Sequence, residues 1–476
     1  MKKTKIGIPL FLLSLLVIPL ILKMVDKQIN QYDIAELDVE FLQINDRVDV
    51  IFIPNHKVPA ILNMIWFKVG GIDEPKNKTG IAHFFEHIIF HNTDNHKKGE
   101  YDKFLESIGG SNNAFTSFDY TSYFATFPKD YYEQVLDFEF DRLNNLQFDP
   151  ELIETERKII LEERLLRKDN DPGQELMIES KQILFSKDNL YSRPLIGYLE
   201  DINNITVDDL IRFQATQYNS KKMFMVVSGD ISKEQLMEVL TRKFNQYFPE
   251  EASEAELSTP LASPQHNKEI KTKTIIKQTH KTSSYNINWI YRIDNFYDYQ
   301  QKDRFALILL DHILSGLPNS LMPQNFIIKD HLAQKASTSY SNLSRAGANH
   351  FSLEFSLSDK ENFVPLNNKI KLLLQNLKLG RFDHDLFKTA KANLLSSSIY
   401  EKESFKSLGF NIGGGYASGL RQEDIINWDQ NIADVKYRDV IEIANKIFTN
   451  ENLLKAYLIP EDTNDFKEMI YEQDNL

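Results

Sequence analysis

"FDPELIETERKIILEE", residues 148–163, has an echo later in the chain: "FDHDLFKTAKANLLSS", residues 382–397, aligns with it without a gap. The two share Phe, Asp, Leu, Thr and their apolar positions. A second pair keeps step with the first, "IAHFFEHIIF" (81–90) against "ALILLDHILS" (306–315). Self-similarity at two places, in the same order, is the mark of a duplicated supersecondary unit rather than of a chance helix pattern. Between the copies lies "FPEEASEAELSTPLASPQHNKEIKTK" (248–273), acidic and then Ser/Pro-rich, without apolar periodicity, which reads as a linker. The predicted organisation is a leading segment 1–30, a domain 31–247, the linker 248–273 and a second domain 274–476. Each half mixes strand and helix patterns, so the fold class is α+β: two duplicated domains of mixed sheet packed with helices.

Working outward from the repeat, the copies differ in their polar residues. His83 stands opposite Ile308, Glu156 opposite Ala390 and Glu163 opposite Ser397, while Glu86 faces Asp311 and His87 faces His312. The apolar frame persists while the His/Glu set is lost from one copy. A purely structural role gives no reason for that loss.

The local patterns place these residues. "PAILNMIWFKVGG" (59–71) reads as a strand ended by Gly70-Gly71, and "TGIAHFFEHIIFH" (79–91) as a helix opened by Thr79-Gly80. On that helix His83 and His87 are four apart and share a face, with Glu86 alongside. "LIETERKIILEERLLRK" (152–168) is a second helix, on which Glu156 and Glu163 are seven apart and again share a face. Two helices can therefore present a His, His, Glu set. Neutral imidazoles and a carboxylate suit Zn²⁺, and three protein ligands leave a fourth position to water, with Glu86 free to act as a base. His91 and His96 read as surface polar residues, and His312 as a relic or a satisfied core histidine.

Composition bounds the alternatives. The chain has 476 residues, 42% of them hydrophobic, enough for a large core and two to four domains. A formal charge of −13 argues against general nucleic-acid affinity. Without a cysteine there is no disulfide, thiolate site or cysteine nucleophile. At the N-terminus, Ile6 to Leu22 is uncharged behind Lys2, Lys3 and Lys5, and the first alanine is Ala35. That pattern predicts an uncleaved membrane anchor through residues 6–22, with a cleaved signal and a secreted product as the alternative. The flanking charges send the rest of the chain out of the cytoplasm. The glycine run "FNIGGGYASGL" (410–420) lacks a Gly-Lys-Ser/Thr continuation and reads as a flexible loop.

His83-Phe-Phe-Glu86-His87 followed by "ERKIILEE" resembles the inverted zinc motif of the pitrilysin/insulinase family, the inverzincins. The resemblance implies a zinc peptidase holding one Zn²⁺ with His83, His87 and Glu163 rather than Glu162. It implies Glu86 as catalytic base and Glu156 as a carboxylate supporting Glu163. "GGSNNAFTSFDYTSYFATFP" (109–128) is similar to the family's edge strand beside the metal, with Asn113, Ala114, Thr116 and Tyr123 on matching positions; a substrate peptide would add there as a further strand. The length resembles the short-chain branch, which includes mitochondrial processing peptidases and bacterial two-chain relatives, where each chain is half of a clamshell chamber. Active members take an arginine and a tyrosine seven apart from a C-terminal-half domain. In "FIIKDHLAQKASTSY" (326–340), Ile327, Ile328 and Lys329 stand where that arginine is expected. The resemblance therefore implies a heterodimer with a paralogous zinc-free subunit supplying the Arg/Tyr pair, working on peptides or unfolded segments in the bacterial periplasm from an inner-membrane anchor. The alternative is a non-catalytic structural or chaperone-like subunit of the same fold.

Overall fold

In a computed structural model, residues 37–474 are described except 250–269, 294–300, 342–344, 346 and 462. The expected anchor and nearly all of the expected linker lie outside the described residues. Among the described residues no helix is long and apolar enough to cross a membrane.

Two sheets carry the fold. The first contains β1 (Glu40–Ile44), β2 (Val48–Pro54), β3 (Ala60–Phe67), β4 (Ser111–Thr116), β5 (Thr121–Pro128) and β6 (Met223–Gly229), in the order β1-β2-β6-β3-β5-β4. The second contains β7 (Lys273–Thr279), β8 (Tyr285–Ile293), β9 (Lys335–Ser341), β10 (Asn349–Leu357) and β11 (Leu453–Pro460), in the order β7-β11-β8-β10-β9. Leaving out β1, the two orders are the same. The one parallel pair recurs too, β2 with β6 and β7 with β11, among otherwise antiparallel neighbours. The duplication seen in the sequence is thus a duplication of topology.

Six helices shape the cleft and the contact between the halves: α1 (Ile81–Ile88), α2 (Pro150–Arg164), α3 (Pro172–Phe185), α4 (Gln301–Asp311), α5 (His384–Glu403) and α6 (Phe405–Ala417). The Phe-Asp shared by the repeats is explained locally. Asp149 caps α2, accepting from the amides of Glu151 and Leu152, and Asp383 caps α5, accepting from the amide of Asp385. Pro150 occupies the first turn of α2, where no intrahelical donor is lost.

Each sheet packs one face against helices of its own half, with Phe84, Phe85 and Phe140 in the first core and Leu310, Phe355 and Leu366 in the second. The other face is covered by the opposite half. α3 lies on β11 and β7, burying Leu176, Leu184 and Phe185 against Ile290, Leu454 and Ala456. α6 lies on β3 and β6, burying Ile412 and Ala417 against Leu62, Met64 and Trp66. Arg345 adds a polar tie from the second half to Asp73, to Asp119 and to the carbonyl of Lys68.

The glycine run is the clearest departure from the sequence reading. Its first eight residues, through Ala417, belong to α6 and are no loop, and only its end, with Gly419 at φ +97°, leaves the helix. Gly409 and Gly413 are four apart on the face that meets β3; a Cβ at Gly413 would sit 2.5 Å from the Trp66 indole, and one at Gly409 would sit 2.7 Å from Leu62. The glycines let two backbones approach, and the packing energy of that contact outweighs their poor helix propensity.

Candidate active site

β3 runs into a tight turn at Gly70–Asp73, and α1 begins at Gly80, whose φ of +87° suits glycine. The cap of α1 comes from Glu74, which sequence reasoning missed. Its Oε1 accepts from the amides of Gly80 (2.9 Å) and Ala82 (3.2 Å). Thr79, expected to open the helix, instead donates its hydroxyl to Asp201 (2.6 Å). The i+6 spacing of Glu74 ahead of Gly80 matches no local capping pattern, so only the turn geometry reveals it.

α1 packs across α2, and the two helices bring one nitrogen each from His83 and His87 and one oxygen from Glu163 within 4.8 Å of one another. Both His83 Nε2 and His87 Nε2 lie 3.7 Å from Glu163 Oε2. A tetrahedral zinc site with bonds of 2.0–2.2 Å has donor–donor edges of about 3.4 Å. The two His–Glu163 edges therefore need a contraction of only a few tenths of an ångström. His83 is held neutral, its pKa drawn down to about 3 by burial, with the charges of His87 and Arg167 adding. Its Nδ1 is buried without a hydrogen-bond partner. The neutral form suits an imidazole that offers Nε2 to a cation.

His87 is oriented by Glu156, whose Oε2 lies 3.2 Å from His87 Nδ1. A carboxylate only accepts, so Nδ1 carries the proton and Nε2 keeps a free lone pair toward Glu163. Glu156 therefore supports His87, and not Glu163 as the resemblance implied. Burial opposes protonation of His87, but the bond to Glu156 and the charges of Glu86, Glu156 and Glu163 outweigh it and raise its pKa.

Two further residues hold Glu156: His91 Nε2 (3.1 Å) and Lys98 Nζ (2.6 Å). His91, read from sequence as a surface residue, is buried, because it lies one turn beyond His87 and points to the same carboxylate. Burial alone would push Glu156 up, yet its bonds to His87, His91 and Lys98 hold it well below the usual carboxylate range. His96 is half-buried beside Glu100 and does not join the group.

Glu86 stands outside the three-residue set. Its Oε2 accepts from Thr116 Oγ1 (2.6 Å) on β4. Burial raises its pKa, with the Thr116 bond and His87 pulling the other way. β4 is the edge of its sheet, as the resemblance implied. The amide of Ala114 donates to Asn113 Oδ1 (2.8 Å), a side chain rather than a neighbouring strand. Asn113, Ala114 and Thr116 line the same cleft as His83, Glu86, His87, Glu156, Glu162 and Glu163, with a volume of about 1210 Å³. Glu162 is the neighbour that stays out of the His/Glu group. Tyr123 is buried, its hydroxyl 3.2 Å from that of Tyr218, and packs in the core instead of the cleft.

In the second copy, Ile308 lines an apolar cavity of about 330 Å³. His312 Nε2 is satisfied by Asn393 Oδ1 (2.8 Å), and Thr338 stands beside Asp311 as Thr116 stands beside Glu86. The scaffold of the site persists there without its ligands.

The family model "Insulinase (Peptidase family M16)" matches residues 50–195, and "Peptidase M16 inactive domain" matches 204–394. The zinc protease PqqE of Helicobacter pylori is 26% identical over 440 residues, covering 88% of this chain and 93% of the relative. A probable mitochondrial-processing peptidase subunit beta of Arabidopsis thaliana is 27% identical over 193 residues, covering 40% of this chain and 36% of its own length. Among solved structures, a protease from Helicobacter pylori superposes with a TM-score of 0.79 at 24% identity, covering 90% of this chain and all (100%) of that one. The first half of the periplasmic protease PqqL from Escherichia coli gives 0.72 at 16% identity, covering 93% and 98%.

Proposed function

The chain belongs to the insulinase family of peptidases, M16, and on that footing we propose that it is a zinc metalloendopeptidase acting on peptides or unfolded segments. The observation that carries this is the convergence of His83, His87 and Glu163 beside a free Glu86 that is tied to the edge strand. Bound by those three residues, zinc would supply an acidified water and polarise the scissile carbonyl.

The chain's own groups do the rest. Glu86, its carboxyl raised by burial, has the affinity to take the water's proton and return it to the leaving amine. Thr116 fixes the Glu86 carboxylate, and Glu156 fixes the tautomer of His87. A substrate strand pairing with β4 would displace the Asn113 side chain from the Ala114 amide and lay its own amide bond against Glu86. The matching of 204–394 by an inactive-domain model accords with the loss of the His/Glu set from the second copy.

Residues 326–340 contain no arginine. We therefore assign the missing Arg/Tyr pair to a paralogous zinc-free subunit, which would close a two-chain chamber over the cleft. Residues 6–22 would anchor the chain to the inner membrane with the cleft in the periplasm.

Glu86→Gln tests the central reading. The variant should retain one zinc per chain, measured by elemental analysis, and lose peptide hydrolysis. Wild-type turnover by this variant would refute the role given to Glu86.

A further inference from the structure

The cleft holds a charge that the hydrolytic reaction does not use. Gln174, Met177, Ile178 and Lys181 recur at three- and four-residue intervals on α3, and all four line the cleft. They form the α3 wall, and Lys181 is the last of them. Its ammonium lies 5.0 Å from the centre of the Phe118 ring. Among the described residues no carboxylate and no hydrogen-bond acceptor reaches it, and burial lowers its pKa without an acidic neighbour to oppose it.

The other cations of the cleft are committed. Lys98 pairs with Glu156 at 2.6 Å and Arg167 with Glu163 at 2.9 Å. Glu175 and Glu179, on the same helix as Lys181, are engaged by Lys277 at 2.8 and 3.0 Å. His350, close enough to feel Lys181, offers no counter-charge, since burial and then the lysine's own charge draw it down to about 4. An ammonium left with only an aromatic face is costly until an anion arrives.

Position suggests where that anion comes from. Phe118 follows the last residue of β4, Thr116, by two positions. A peptide laid along β4 with one amide bond at Glu86 runs on toward Phe118 and Lys181. We propose that Lys181 is a specificity-determining residue that receives a carboxylate of the bound peptide, from an acidic side chain or the C-terminus, between Phe118 and Met177. The inference rests on the peptidase reading above and names a substrate class for it: peptides with an anionic group a few residues from the scissile bond.

The test uses the full chain and peptide pairs that differ only by Glu against Gln, each with a free or an amidated C-terminus. Two ratios are measured: kcat/KM with zinc present, and equilibrium binding to Glu86→Gln by fluorescence anisotropy. Wild type should favour the carboxylate-bearing member by about 10- to 100-fold, the range of a charge-assisted hydrogen bond at a buried site. Lys181→Met should bring that ratio close to one, Lys181→Arg should preserve it, and Lys181→Glu should invert it toward the uncharged member. The amide arms identify which carboxylate is read. If nothing is hydrolysed even with the paralogous subunit supplied, the catalytic reading falls while the binding ratio still decides for or against Lys181. Equal binding of all four peptides, no binding of any, or a preference that survives in Lys181→Met overturns the proposal.

Discussion

Gly413→Ala and Gly414→Ala should move stability in opposite directions, although the two glycines are adjacent in one helix. The added methyl at Gly413 would sit 2.5 Å from two carbons of the Trp66 indole and 2.7 Å from its nitrogen. Relaxed carbon contacts are about 3.5–4.0 Å, so roughly 1 Å of movement is required. Trp66 cannot provide it, being 1% exposed and boxed by the rings of Phe115, Tyr120 and Phe224 at 5.4, 5.2 and 5.8 Å. α6 would have to lift from β3 and β6. Overpacking of this kind costs about 1–3 kcal/mol, and a rigid aromatic neighbour argues for the upper end. Alanine returns about 1 kcal/mol of helix propensity, leaving a net loss of about 2 kcal/mol. At Gly414 the nearest atoms are 3.7 and 3.9 Å away. That variant should keep the propensity gain of about 1 kcal/mol without strain. The propensity contribution is common to both, so the difference of about 3 kcal/mol isolates the contact between the halves. At about 1–2 °C per kcal/mol for a chain or half-chain of this size, the melting temperatures should separate by roughly 3–6 °C, followed by intrinsic tryptophan fluorescence. Equal shifts, or a Gly413→Ala chain as stable as Gly414→Ala, would show that α6 does not press on Trp66 as described.

The cleft and its supports give two further outcomes. His91→Ala removes one of three groups holding Glu156, so zinc retention against a competing chelator should fall by about 10- to 100-fold while the fold survives; unchanged retention would mean that His91 only packs. Glu74 has its carboxyl pushed by burial from 4.5 up to about 8, against the amide bonds of Gly80 and Ala82. A carboxyl raised in the folded state contributes stability that is complete below 4.5 and is lost as pH rises through about 8. Glu74→Gln keeps an oxygen for both amides without a charge, so the variant should gain on wild type as pH rises across that window. A stability difference that stays constant between about pH 5 and pH 9 would refute the buried, neutral Glu74.

Apart from the edge strand, which followed only from the family resemblance, the sequence by itself determined the duplicated α+β plan, the helices bearing His83, Glu86, His87 and Glu163 and the loss of ligands from the second copy. These are local properties. Periodicity, an aspartate before a helix and the spacing of ligands on one face are set by residues within a few turns of each other, and a repeat makes each of them visible twice. Tertiary structure decided which sheet each helix covers. Nothing in α3 or α6 says that its apolar face belongs to the other half, and the glycines of α6, which locally argue against a helix, find their reason only in Trp66. The same holds around the metal ligands. His91 looks like any polar residue until α2 brings Glu156 beside it, and Glu74 caps α1 across a turn whose shape no short motif encodes. A side chain's partner across the fold depends on how helices and sheets stack, and stacking is fixed by surfaces that meet only after the chain has folded.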